Sequence, residues 1–92
     1  MNNRNTSLAA SPHITIRVSG KLFQGHLAYL DQMVRTACEC RLWPLLSLAH
    51  LEELDRAALL YLIDGEDQRF GVISCPNFIR ESMVHERERA AA

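Results

Sequence analysis

The sequence contains no apolar run approaching the ~20 residues that a helix needs to span a bilayer. Its opening, MNNRNTSLAASP, has no apolar stretch of the kind that drives secretion. Neither sign of charge is in excess: 10 Lys and Arg face 11 Asp and Glu, for a formal net charge of -1 and a pI near 6.4. Nucleic-acid binders gather their cations on one face, whereas acids and bases are interleaved here, so no nucleic-acid partner is expected. There is no glycine-rich phosphate loop and no nucleophile elbow, which leaves an enzyme without its usual signatures. His13, His26, His50 and His85 are scattered, with no pair at metal-ligand spacing. The cysteines, Cys38, Cys40 and Cys75, are an odd set without a disulfide-framework spacing. These absences lead to the expectation of a cytoplasmic protein with reduced thiols, no cofactor and no metal. Cys38-Glu39-Cys40 does not alter this, because residues i and i+2 of a helix do not share a face. Cys38 is expected in the core and Cys40 at a helix end.

What is present is enough for one domain. The chain has 92 residues, 48% hydrophobic and 23% charged, the proportions of a compact globular fold. Residues 1–12, rich in Asn and Ser and closed by Pro12, read as a flexible tail, residues 13–85 as the folded part, and 86–92 as a C-terminal tail. HITIRVSG, residues 13–20, alternates Ile14, Ile16 and Val18 with Thr15 and Arg17, the period-two pattern of a strand. Lys21 to Phe23 is a possible second strand. Residues 26–40 place Leu27, Leu30, Val34, Ala37 and Cys38 on one helical stripe. Leu42 to Leu48 is an apolar run of the length of a buried strand, but it is rich in Leu, and periodicity does not separate buried strand from buried helix here. Phe70 to Ser74 suits an inner strand, and Pro76 opens a last helix with Phe78, Ile79 and Met83 on its apolar face. Strands alternating with helices predict an α/β fold: a small, mixed, partly parallel sheet of about four strands covered by helices.

The segment Leu48–Leu62, LAHLEELDRAALLYL, admits two readings. As one helix it is capped by Ser47, with Leu51, Leu54, Ala58 and Leu62 along a stripe and Gly65 as the stop. As a junction, Leu45–Leu48 ends a strand, His50–Leu54 is a loop, and Asp55 caps a new helix from Arg56 to about Ile63. Propensity alone slightly favours the single helix.

In the second reading the segment resembles the core of a STAS domain, the fold of bacterial anti-sigma-factor antagonists. That family shows a strand ending in Asp-Leu and then Asp-Ser-Ser-Gly-Leu opening a helix. Ser47-Leu48 and Asp55-Arg56-Ala57-Ala58-Leu59 stand at these positions with the family spacing. Val18-Ser19-Gly20-Lys21-Leu22 is similar to the family's first strand and its Gly-(Arg/Lys)-Leu corner. Gly71–Pro76 and Phe78–Glu81 are similar to its last strand and closing helix.

The resemblance covers residues 13–85 and implies a non-enzymatic regulatory module that binds a protein partner, a serine-kinase-like anti-sigma factor. The implied contact residues are His50, Glu52, Glu53, Asp55 and Arg56. Arg56 holds the position of the serine that regulated members have phosphorylated, so no phosphosite is expected there. Guanidinium is also no mimic of phosphate, being permanently positive where phosphate adds about -1.5 to -2. Glu52, Glu53 and Asp55 are placed to offset a cation that is mildly unfavourable at a helix start. Three alternatives stand beside this reading: a STAS-like subunit docking on the ATPase of an ABC transporter; in another class, a small thiol or metal-dependent enzyme; and, if Leu48–Leu62 is one helix, an all-helical adaptor. A homodimer is compatible with each.

Overall fold

The computed structural model describes residues 12–91. The tail expected over 1–12 therefore lies, apart from Pro12, outside the described residues. The chain runs β1 (His13–Arg17), β2 (Gly20–Leu22), α1 (Gln24–Glu39), β3 (Trp43–Ser47), β4 (Leu51–Leu54), α2 (Arg56–Gly65), β5 (Gly71–Ile73) and α3 (Asn77–Ala91). This is an α/β fold, with five strands where about four were expected. Every strand pairing is parallel, so the expected mixed sheet is corrected: β1, β3 and β5 form one sheet with β3 in the centre, and β2 pairs with β4. The cause is connectivity, since paired strands are here always joined through a helix, and such crossovers return the chain in the same direction. β5 is consequently an edge strand and not an inner one.

The two sheets are one kinked ribbon. Between β1 and β2 the Val18 N–H donates to the Ser47 carbonyl (3.0 Å) and the Gly20 N–H to the His50 carbonyl (3.0 Å). The register slips between Gly20 and Lys21. Gly20 takes a φ of 74°, a conformation that favours glycine, which explains a glycine at this corner.

Strand polarity decides where the core lies. Ile16 of β1 and Leu46 of β3 are buried, as are Val18 and Leu48 just past the ends of these strands, and they meet Leu30 and Val34 of α1, Leu62 of α2, and Ile79 and Met83 of α3. Both crossovers move the same way across the sheet. Right-handed connections then bring α1 and α2 to the same side. Ile14 shares that side but is 42% exposed, because among the described residues β1 is an edge strand. A groove of about 380 Å³ opens beside it, lined by Ile14, Ile16, Tyr29, Met33 and Leu42 among others.

α1 carries Leu30, Val34 and Ala37 inward at i, i+4 and i+7. Cys38, expected in the core, is exposed, since one step past Ala37 turns a side chain by about 100°. The helix ends in a Schellman motif: the Leu42 N–H donates to the Ala37 carbonyl (2.9 Å) and the Arg41 N–H to that of Cys38 (3.0 Å). The left-handed residue of this motif is usually glycine, yet here it is Arg41, at φ 62°. In α3, Ile79 and Met83 face inward as expected, whereas Phe78 is 45% exposed. The boundary expected at residue 85 does not interrupt the structure: α3 continues to Ala91, and Glu86 is buried on the same stripe.

Candidate functional site

Leu51–Leu54, expected as a loop, is a strand, because Gly20, Lys21 and Leu22 offer it an open edge to pair with. The turn before it holds Ala49 and His50, both exposed. Its own residues Glu52 and Glu53 point to solvent, with Glu53 4.0 Å from Lys21. Both partners of that pair are more than half exposed, so it contributes little.

Asp55 is the N-cap of α2, as the junction reading required: Oδ1 accepts from the Ala58 N–H at 2.9 Å. Its second oxygen accepts the Gln24 N–H at 2.8 Å, in the first turn of α1. One carboxylate therefore caps two helices that start side by side. The Asp55 N–H in turn donates to the Leu22 carbonyl at 3.2 Å, closing the strand pair beneath. The bond from Ala58 and then that from Gln24 hold the pKa of Asp55 below its ordinary value, with His26 adding a smaller pull. α1 starts two residues before the expected position for the same reason, helped by His26, whose Nδ1 accepts the Phe23 N–H at 3.0 Å.

Since its pKa is lowered on folding, Asp55 stabilises the native state above its unfolded value, about 3.9. That contribution is lost as pH falls through the lower folded value. Asp55→Ala is expected to drop the melting temperature by several degrees at pH 7, with a gap to the parent that closes on acidification below about pH 4. Thermal melts at pH 7 and pH 3 measure it, and a gap equal at both would rule out the carboxylate cap.

Arg56 does not lean on the acids before it. Its Nε and Nη2 donate to Oε2 of Glu86 at 3.2 and 3.1 Å, while Arg89 reaches the other oxygen at 3.3 Å. The expected compensation by Glu52 and Glu53 is thus corrected: the neutralising carboxylate comes from α3, thirty residues on. The Glu86 side chain is 10% exposed and that of Arg56 66%, so the pair ties α3 to the start of α2 while leaving the guanidinium open on one side. Ala58 is fully buried, and its N–H is the donor to Asp55. Ser47 is half-buried at the end of β3, its carbonyl taken by Val18.

The five expected contact residues are thereby distributed as an exposed acidic edge, Glu52 and Glu53, a turn residue, His50, and two ordered side chains, Asp55 and Arg56. The ion pair of Arg56 with Glu86 was beyond sequence reasoning, since nothing local marks a contact between residues so far apart. The Gln24 and Ala58 N–H groups, donors that an anion would seek at a helix start, are occupied by Asp55.

Elsewhere, Tyr61 donates to Asp31 (3.0 Å), and burial, then that bond, push its hydroxyl up to about 12. Glu66 accepts from Arg80 (3.2 Å) and Arg87 (2.9 Å). Burial raises the Cys75 thiol above its ordinary value. Among the described residues no three His, Cys, Asp or Glu side chains are grouped to hold a metal, and no helix is long and apolar enough to cross a membrane. Comparison with protein-family models, curated proteins and solved structures found no match.

Proposed function

We propose that this chain is a non-enzymatic regulatory interaction module of the STAS type, similar to bacterial anti-sigma-factor antagonists, and that it docks a protein partner through His50, Glu52, Glu53 and the first turn of α2. The observation that carries the reading is the junction itself. A strand end, a corner strand and two helix starts are fixed to one another by Asp55, at the place where the family resemblance puts its partner face. A surface ordered before binding loses little entropy on association.

Arg56 gives this module its particular character. It lacks a hydroxyl and its guanidinium is engaged by Glu86, so docking is constitutive or governed by the partner. The partner implied by the resemblance is a serine-kinase-like anti-sigma factor. Incubation with such a kinase and ATP, followed by mass spectrometry, is expected to show no phosphate on this junction; phosphate there would refute the fixed-docking reading.

Because Asp55 caps two helices, its replacement cannot report on binding alone. Glu52→Lys with Glu53→Lys, on exposed side chains, is the cleaner variant. It is expected to weaken the complex at least about ten-fold with an unchanged melting temperature. Equal affinity would place the contact elsewhere.

A further inference from the structure

Among the described residues, no helix covers the second face of the sheet formed by β1, β3 and β5. Strand register puts three rows of side chains there: His13 beside Trp43; Thr15, Leu45 and Gly71; and Arg17, Ser47 and Ile73. Gly71 confirms the shared face, since a Cβ on it would lie 2.8 Å from Leu45 Cδ2 and 3.2 Å from Trp43 Nε1. Trp43 remains 38% and Ile73 37% exposed. Parallel sheets almost always have both faces covered, so an open one with an apolar centre is an unfilled layer.

The charges around it are one-sided. None of the residues in the three strands is acidic. Arg17 ends the first strand, and Arg41 stands at the other end, in a shallow recess with Pro12, Cys38 and Trp43. Among the described residues these two arginines make no ion pair, whereas every other lysine and arginine does. Arg41 also occupies a left-handed position where glycine costs less, so local backbone preference does not account for an arginine there.

We propose that this face is a docking surface for an amphipathic helix of a protein partner, acidic at both ends, laid over Trp43, Leu45 and Ile73 between Arg41 and Arg17. Arg17 lies level with Ser47 and Arg41 sits in the turn before β3, so the two arginines are at most about 20 Å apart along the strand direction, a span of no more than about 13 residues of helix. The apolar centre favours such a helix over a nucleic acid, and the absence of acids on the face disfavours a second copy pairing face to face. This surface is separate from the Asp55 junction and does not depend on its role.

Trp43 is the one tryptophan of the chain and reports on this face directly. The probe is a synthetic amphipathic peptide of about 14 residues, with a leucine stripe and two glutamates at each end, beside a matched peptide ending in lysines. The glutamate peptide is expected to shift Trp43 emission to the blue saturably, more strongly at low salt. Arg17→Glu with Arg41→Glu is expected to weaken it about ten-fold and to transfer the preference to the lysine peptide. Arg17→Gln with Arg41→Gln, measured alongside with melting curves, separates lost charge from lost fold. Equal response to both peptides, no saturable shift, or an unchanged preference in the charge-reversed protein would overturn the proposal. So would a shift produced only by an anionic vesicle or an oligonucleotide. A dimer in light scattering that Trp43→Ser converts to monomer would overturn it in favour of a second copy.

Discussion

Leu46→Ala is expected to lower the free energy of unfolding by about 3–4 kcal/mol, while Leu45→Ala, one residue away, costs about 1 kcal/mol or less. Leu46 sits on the central strand with no exposed surface, among residues of the helices and of both flanking strands. Truncation there removes transfer energy and leaves a void that rigid neighbours cannot fill. Leu45 points to the other face, beside Gly71, and is only half-buried. Urea unfolding of both variants measures the contrast. A 92-residue domain of ordinary stability has about 5–15 kcal/mol in total, so the first variant is near the edge of folding at 37 °C. Equal losses at the two positions would mean that the open face is packed in solution.

Gly65→Ala is expected to cost about 2–3 kcal/mol although it adds one methyl group and improves helix propensity. The added carbon would lie 2.5 Å from Cζ of Phe70 and 3.1 Å from the Arg69 guanidinium. Phe70 cannot yield readily: it is fully buried and stacked on Tyr61 at 5.6 Å between centroids. The backbone is fixed as well, for the Gly65 carbonyl accepts the N–H groups of Gln68, Arg69 and Phe70. Phe70→Leu added to Gly65→Ala should recover part of the loss, because the smaller side chain vacates the contested space, with a coupling of about 1 kcal/mol or more. A neutral Gly65→Ala in denaturant titration would show that the ring moves aside.

Gly65 illustrates how far the sequence reached. It read as a helix stop, which it is, but its tight contact with an aromatic ring five residues later had no local signal. Asp55 was legible as a cap for α2 because capping is a local matter of residue type and position. Its second bond, to Gln24, joins segments 31 residues apart and was not. β4 has no sequence signal, because Leu51–Leu54, LEEL, shows no alternation and is a strand only through the edge that β2 presents. Phe78 and Cys38 adjoin the buried stripes of their helices and face outward, an ambiguity that arises wherever apolar residues are neighbours on a helix. The parallel sheet and the extension of α3 to Glu86 depend on tertiary partners and are written nowhere in a short window.

Wholly parallel pairing has a kinetic consequence. β1 meets β3 across about 30 residues and β3 meets β5 across about 26, with no hairpin anywhere among the described residues. A chain without local strand contacts must close a long loop before any sheet bond forms, and loop closure is an entropic cost met early. Early order therefore falls to the helices, and sheet formation is held back until α1 docks against β3. Until then β3, with its run of leucines, stays available to other chains as well as its own.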